Sequence, residues 1–256
     1  METTEPEGAP KFLGFEQFEF DLTDALINQL VTVLDNLEPA ALDLRNVSKI
    51  PNGQGVYQLW VDNQLEYVGK TDTDAGLTTR LAKHAHKISG RPTLRGMVQF
   101  KAVQVLVFTA MELETLLIRH YKSGGAPLGW QHSGFGSNDP GRERDTTKYK
   151  ETHFDARHPI NVNEHFEKPL IIKANRTVKQ ALAELKSLLP YTIRFQRSGD
   201  LNVELPKDLE MVSTKDGLLK ILGFLPKGWQ ATNLPGYVIL YKEKKEYKYG
   251  KLIGRT

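Results

Sequence analysis

The chain has 256 residues, 39% of them hydrophobic and 25% charged, and it contains no cysteine. That leaves enough apolar material for a core, excludes a disulfide framework or a thiolate zinc site, and provides no apolar run near the roughly 18 residues of a membrane span. The net charge of +3 hides an uneven distribution: residues 1–50 carry 3 basic against 10 acidic side chains, residues 70–150 carry 13 against 7, and residues 166–256 carry 17 against 9. A polyanion is expected against the middle and C-terminal parts, because phosphate neutralisation with counterion release supplies most non-specific nucleic-acid affinity.

The first residues, Met1 to Glu7, are acidic and lack a signal-peptide core, which together with the missing cysteines leads to the expectation of a cytoplasmic protein. A short strand is expected at Phe15 to Phe20. An amphipathic helix follows, with Asp21 or Thr23 near its start and Ile27, Leu30, Val31 and Leu34 on one stripe. Residues 1–50 read as an extension packed on the domain that follows, with a role in dimerisation.

Gly55-Val56-Tyr57-Gln58-Leu59 reads as a strand with Gly55, Tyr57 and Leu59 on one face. Tyr67-Val68-Gly69 places its tyrosine and glycine together in the same way. The turn-forming Asp62-Asn63-Gln64 between them makes an antiparallel hairpin, so two phenols converge on one surface beside glycines that leave room. The hairpin alone reads better as an ordinary aromatic core.

Leu77 to His86 has helical spacing, and Arg80 and His84, four apart, share one helix face. Arg80 offers a fixed planar fork for phosphate oxygens and His84 a group that exchanges protons near neutral pH. The bland alternative is a solvated basic face made of Arg80, Lys83, His84 and Lys87. A strand is expected at Val103 to Phe108, then a helix from Met111 to Tyr121 with Leu113, Leu116, Leu117 and His120 on its stripe. Glu112 and Glu114 point in different directions, so this helix offers one carboxylate. Such a site suits Mg²⁺, which keeps most of its waters and binds through one or two carboxylates plus substrate phosphate. The run Gly134 to Asp145, with three glycines and a proline in twelve positions, reads as a loop that wraps a site.

In order and spacing these pieces resemble the GIY-YIG nuclease superfamily, with Val56 and Val68 standing where the family name has isoleucine. Leu113-Glu114-Thr115-Leu116-Leu117-Ile118 fits the context of the family's essential glutamate, and the loop with Ser137, Asn138, Arg142 and Arg144 resembles that of the restriction-endonuclease branch. The resemblance implies an α+β fold: a small antiparallel central sheet flanked by helices over residues 51–165, joined to the N-terminal extension. It also implies hydrolysis of a DNA phosphodiester bond with one Mg²⁺, replaceable by Mn²⁺, held by Glu114. Arg80 would neutralise transition-state charge, a deprotonated Tyr57 would take the proton of the attacking water, Tyr67 would orient water or phosphate, and Asn138 would fix the phosphate or the tyrosine. Tyr57 needs help with its pKa of about 10, from Lys70 or His84, and which group is the proximate base stays open. Arg142, Arg144, Ser137 and Lys148 are the expected DNA contacts. A homodimer on a short palindromic duplex site follows, with a cognate DNA methyltransferase in the same system. A homing or repair nuclease of the same chemistry, and an inactive DNA-binding module, are the alternatives; the module should have lost Arg80 or Glu114.

Pro159 to Pro169 reads as a linker. His153 and His158 near it make a poor zinc pattern. Residues 166–256 read as a second α+β domain: strands at Leu170 to Ile172, Tyr191 to Phe195, Asn202 to Leu205 and Tyr237 to Tyr241, with helices at Thr177 to Leu189 and Asp216 to Leu222. Its lysines, with Trp229, Tyr237 and Tyr241, allow either DNA contact or a packing and dimerisation role.

Overall fold

A computed structural model describes residues 21–71, 75–106, 113–136 and 141–256. The expected strand at Phe15 to Phe20, Val107 and Phe108, and Glu112 lie outside the described residues, as do Ser137 and Asn138. The fold is α+β, with antiparallel pairing in all but one strand pair. No helix among the described residues is long and apolar enough to cross a membrane.

Helix α1 (Leu22–Asn36) starts where Asp21 caps it, the carboxylate accepting from the Asp24 N–H at 3.0 Å, and buries Ile27, Leu30, Val31 and Leu34. Strand β1 (Ala40–Ala41) and helix α2 (Leu44–Val47) follow. Strands β2 (Gly55–Val61) and β3 (Gln64–Lys70) are joined by a two-residue turn. Asp62 and Asn63 both have positive φ there, 49° and 62°, the conformation that matches hairpin twist and that Asp and Asn tolerate. Helix α3 (Leu77–Ser89), strand β4 (Val98–Gln104), helix α4 (Leu113–Ser123) and the short helix α5 (Phe154–Arg157) complete this part. The sheet order is β1-β4-β2-β3, so residues 40–41 of the N-terminal extension pair directly with the central sheet.

Strand alternation divides the packing in two. Tyr57, Leu59 and Tyr67 face α3, packing with Leu77, Leu81 and Ala85; Val56 and Val68 take the other face against α1 and α4, with Leu34, Leu113 and Leu117. Strand β4 ends at Gln104, not Phe108, and starts five residues earlier than its β-branched run suggests. Its length is set by its partner: Gly55 to Val61 pair with Gln104 back to Val98, and the polar Gln99 and Lys101 in that stretch mask the strand in sequence.

The C-terminal part contains strand β5 (His165–Ile172), helix α6 (Val178–Leu188), strands β6 (Thr192–Phe195) and β7 (Leu209–Ser213), helix α7 (Thr214–Leu222), and strands β8 (Trp229–Asn233), β9 (Tyr237–Lys242) and β10 (Lys251–Arg255). The strands form one sheet ordered β10-β8-β9-β6, with β6 parallel to β9, and a β5-β7 pair. The strand expected at Asn202 to Leu205 is instead a 3₁₀ turn followed by an extended stretch, because its backbone groups serve the start of α6. Val178 N–H donates to Val203 O and Leu205 N–H to Arg176 O. Ile160 and Val162, in the segment read as a linker, are buried in the C-terminal core.

Two buried charges tie the parts together. Arg91, 2% exposed, donates to Asp155 at 2.9 Å and to the carbonyls of His158 and Pro235. Asp145, 4% exposed, pairs with Arg194 and accepts from the hydroxyls of Tyr237 at 2.8 Å and Tyr241 at 3.0 Å.

Candidate active site

The hairpin register sets Tyr57 opposite Gly69 and Leu59 opposite Tyr67, so both phenols stand on the α3 side of the sheet with ring centroids 6.1 Å apart. Gly69 leaves the room they need. A Cβ there would lie 2.5 Å from the Tyr57 ring and oxygen and 2.8 Å from the Tyr67 ring, closer than packed atoms tolerate. Above them α3 presents Arg80 and His84. The Tyr57 hydroxyl is 2.8 Å from His84 Nε2, and Arg80 Nε donates to the same hydroxyl at 3.4 Å. Arg80 also lies within electrostatic reach of Tyr67. With its oxygen accepting from Arg80, the Tyr57 hydroxyl is set to donate to an unprotonated His84 Nε2.

Burial enforces that protonation. His84 is 3% exposed, and burial, with Arg80 and Lys87 nearby, pushes its pKa down to about 3, so the imidazole is neutral at neutral pH. Burial also raises Tyr57, helped by Tyr67; it raises Tyr67, where the Glu114 carboxylate adds to the effect. Glu114, at the start of α4 and half-buried, thus lies within electrostatic reach of both phenols. A standing Tyr57 phenolate is disfavoured here.

The buried imidazole has a consequence for stability. Between pH 6.5 and about 3 the unfolded chain binds a proton on His84 that the folded chain refuses. The folded state should lose up to about 1.4 kcal/mol per pH unit as pH falls through that window. His84→Gln is expected to flatten this slope in denaturant titrations run from pH 7 to 4; an identical slope in both proteins would remove the assigned cause.

The bland reading of α3 as a solvated basic face holds for Lys83, which is exposed, and fails for His84 and Lys87. Lys87 continues the Arg80–His84 face, and its ammonium sits 5.0 Å from the Phe135 ring and 5.1 Å from Phe154. Burial, only partly offset by Asp155, lowers it to about 8. Phe135 stacks on His84 at 4.8 Å, with Trp130 and Phe154 behind it. Sequence reading assigned none of these aromatics a role. The i, i+4, i+7 spacing of Arg80, His84 and Lys87 was the available signal for the lysine.

Not every expected residue joins the cluster. Lys70 pairs with Val56 at the exposed end of β3 and takes the face of Val68, opposite the phenols, so the register points it away from Tyr57. Arg142 is turned to the C-terminal part, bonded to Glu243 at 3.0 Å and stacked over Tyr241 at 4.5 Å. Arg144 contacts His153 and lies 5.4 Å over Tyr149, and Lys148 is exposed on the same rim. Among the described residues, no cluster of three or more His, Cys, Asp or Glu side chains is set to hold a metal by itself. Glu114 beside two phenols is a single hard oxygen donor, a set that fits a cation whose remaining ligands are water and substrate phosphate.

Searches against protein families and against curated proteins return no match.

Proposed function

We propose that this protein is a GIY-YIG nuclease that hydrolyses phosphodiester bonds of double-stranded DNA at specific sites, in the manner of the restriction branch. The observation that carries the reading is the meeting of Tyr57, Arg80 and His84 in one hydrogen-bonded cluster, with Tyr67 packed against it and Glu114 within electrostatic reach. An arginine fork, a neutral imidazole behind a phenol and a lone carboxylate together suit attack of water on a phosphodiester.

Arg80 and Glu114 are the partly exposed members and would receive the scissile phosphate, Arg80 neutralising charge that grows on it in the transition state. Tyr57 has no exposed surface, whereas Tyr67 keeps 7% and its ring lies 6.1 Å from that of Tyr57, so the proposed proton path runs from water past Tyr67 through Tyr57 to His84. As the water oxygen bonds to phosphorus and the P–O3′ bond breaks, a phenol takes the water's proton while Tyr57 passes its own to His84 Nε2. This concerted transfer needs no free phenolate, which burial opposes, and lodges the proton on His84 only in passing, because burial opposes the imidazolium as well and returns the proton to solvent or to the leaving 3′ oxygen. Glu114 is the residue that would hold Mg²⁺, or Mn²⁺ in its place, which when bound supplies positive charge at the leaving oxygen. Cleavage of both strands would use two subunits related by two-fold symmetry on a palindromic site.

Gly69→Ala is expected to drive the phenols apart, costing about 1–3 kcal/mol through overpacking and breaking the Tyr57–His84 hydrogen bond. Melting temperature and cleavage rate should both fall, and unchanged values in both would show that the cluster is not closed as described. The reading itself is tested by incubating the protein with plasmid and phage DNA and Mg²⁺. Discrete fragments of constant length support it; uncut DNA, or a mobility shift without cleavage, overturns it.

A further inference from the structure

One cavity beside the candidate site has a chemistry of its own. It has a volume of about 350 Å³, and its walls include His132, Arg144, Lys148, Tyr149, Lys150 and His153. Arg144, Lys148 and Lys150 are its basic side chains, and no carboxylate is among its described walls. Asp155, whose carboxylate lies 3.9 Å from His153 Nδ1, is bound to Arg91 at 2.9 Å. The inner wall is held in place: His132 and Gly134 both sit at positive φ, 58° and 88°, and a Cβ on Gly134 would come 2.3 Å from His153 Nε2. Burial lowers His153, so this ring is a neutral hydrogen-bonding partner against which Arg144 is lodged. Tyr149 packs on His153 with ring centroids 5.0 Å apart and lies under the Arg144 guanidinium. The loop that forms the wall continues directly into Phe135, the ring stacked on His84.

We propose that this cavity binds a DNA backbone phosphate next to the scissile one, setting the strand's register over Arg80 and Glu114. The inference rests on the nuclease reading and deepens it by adding His132 and Lys150 to the DNA contacts and by joining Arg144 and Lys148 to them in one site. Cations of both shapes, a planar guanidinium and two point-charge ammoniums, converge on a space large enough for a phosphate and its waters.

The test uses full-length protein carrying Glu114→Ala, with a short mixed-sequence duplex titrated at several KCl concentrations. Adding Lys148→Ala and Lys150→Ala is expected to reduce the slope of log affinity against log salt by about 1, the one phosphate contact that the cavity supplies. A control pair on the exposed face of α6, Lys179→Ala with Lys186→Ala, should leave the slope unchanged. Both lysines of the cavity are exposed, so melting curves should match the parent. If the wild type cuts DNA and the cavity variant keeps the parental slope, the cavity assignment falls and the nuclease reading stands. If the wild type neither cuts nor binds DNA, both fall together. Thermal protection by inorganic phosphate that the cavity variant loses, with the DNA slope unchanged, would assign the cavity to a free phosphate and overturn the proposal.

Discussion

Arg80→Ala is expected to slow DNA cleavage by at least about 10²- to 10³-fold, the loss measured when a single preorganised donor to transition-state charge is removed. Two effects add in this variant. The guanidinium facing the phosphate is gone, and the Tyr57 hydroxyl loses its donor, which lets it rotate away from His84. Arg80→Lys should recover little, because an ammonium keeps the charge without the planar fork that reaches both phenols. Glu114→Ala should fall as far by a different route, by taking away the carboxylate for the cation. In both variants a duplex should still bind with an affinity close to the parent's, since on the proposed reading most backbone contacts would be made elsewhere on the basic surface. Single-turnover cleavage and duplex binding measured on the same preparations separate these outcomes. Cleavage within tenfold of wild type in either variant would remove that residue from the mechanism.

Asp145→Ala should produce the largest loss of stability, about 3–5 kcal/mol, the cost of deleting one partner of a buried ion pair. The carboxylate is almost fully enclosed, pairs with Arg194 and takes both tyrosine hydroxyls of β9. Its removal would withdraw the acceptor of two phenols and the counter-charge of Arg194 at once. For a chain of this size such a loss corresponds to a melting temperature lower by roughly 10 °C. Asp145→Asn, which keeps the shape and some hydrogen bonding, should lie between the two. Because Asp145 ends the loop that starts at Gly134, cleavage should become more temperature-sensitive in both variants. An alanine variant that melts within a degree or two of wild type would mean that the carboxylate carries little of the docking.

Local patterns carried much of this into the sequence. The α1 stripe of Ile27, Leu30, Val31 and Leu34 is buried as its spacing indicates, and Asp21 caps the helix. The tyrosine hairpin and its turn follow from two-residue alternation and from Asp62 and Asn63 accepting positive φ. The Arg80–His84 pair follows from helical periodicity. Strands with mixed composition were the ones missed: Leu209–Ser213, Trp229–Asn233 and Lys251–Arg255 are each five residues long. Such segments are held by partners remote in sequence rather than by their own propensity.

Sequence alone therefore determined which chemical groups are present and which neighbours along a strand or helix share a face, since both depend on distances of a few residues. Only the tertiary structure decided their states and companions. Burial under Phe135 makes His84 neutral, strand register turns Lys70 away from the phenols, and α3 holds Lys87 against two aromatic rings. The C-terminal sheet supplies the partners that bury Asp145. Protonation and orientation depend on local dielectric and on contacts between residues tens of positions apart, and no periodicity in the chain encodes either.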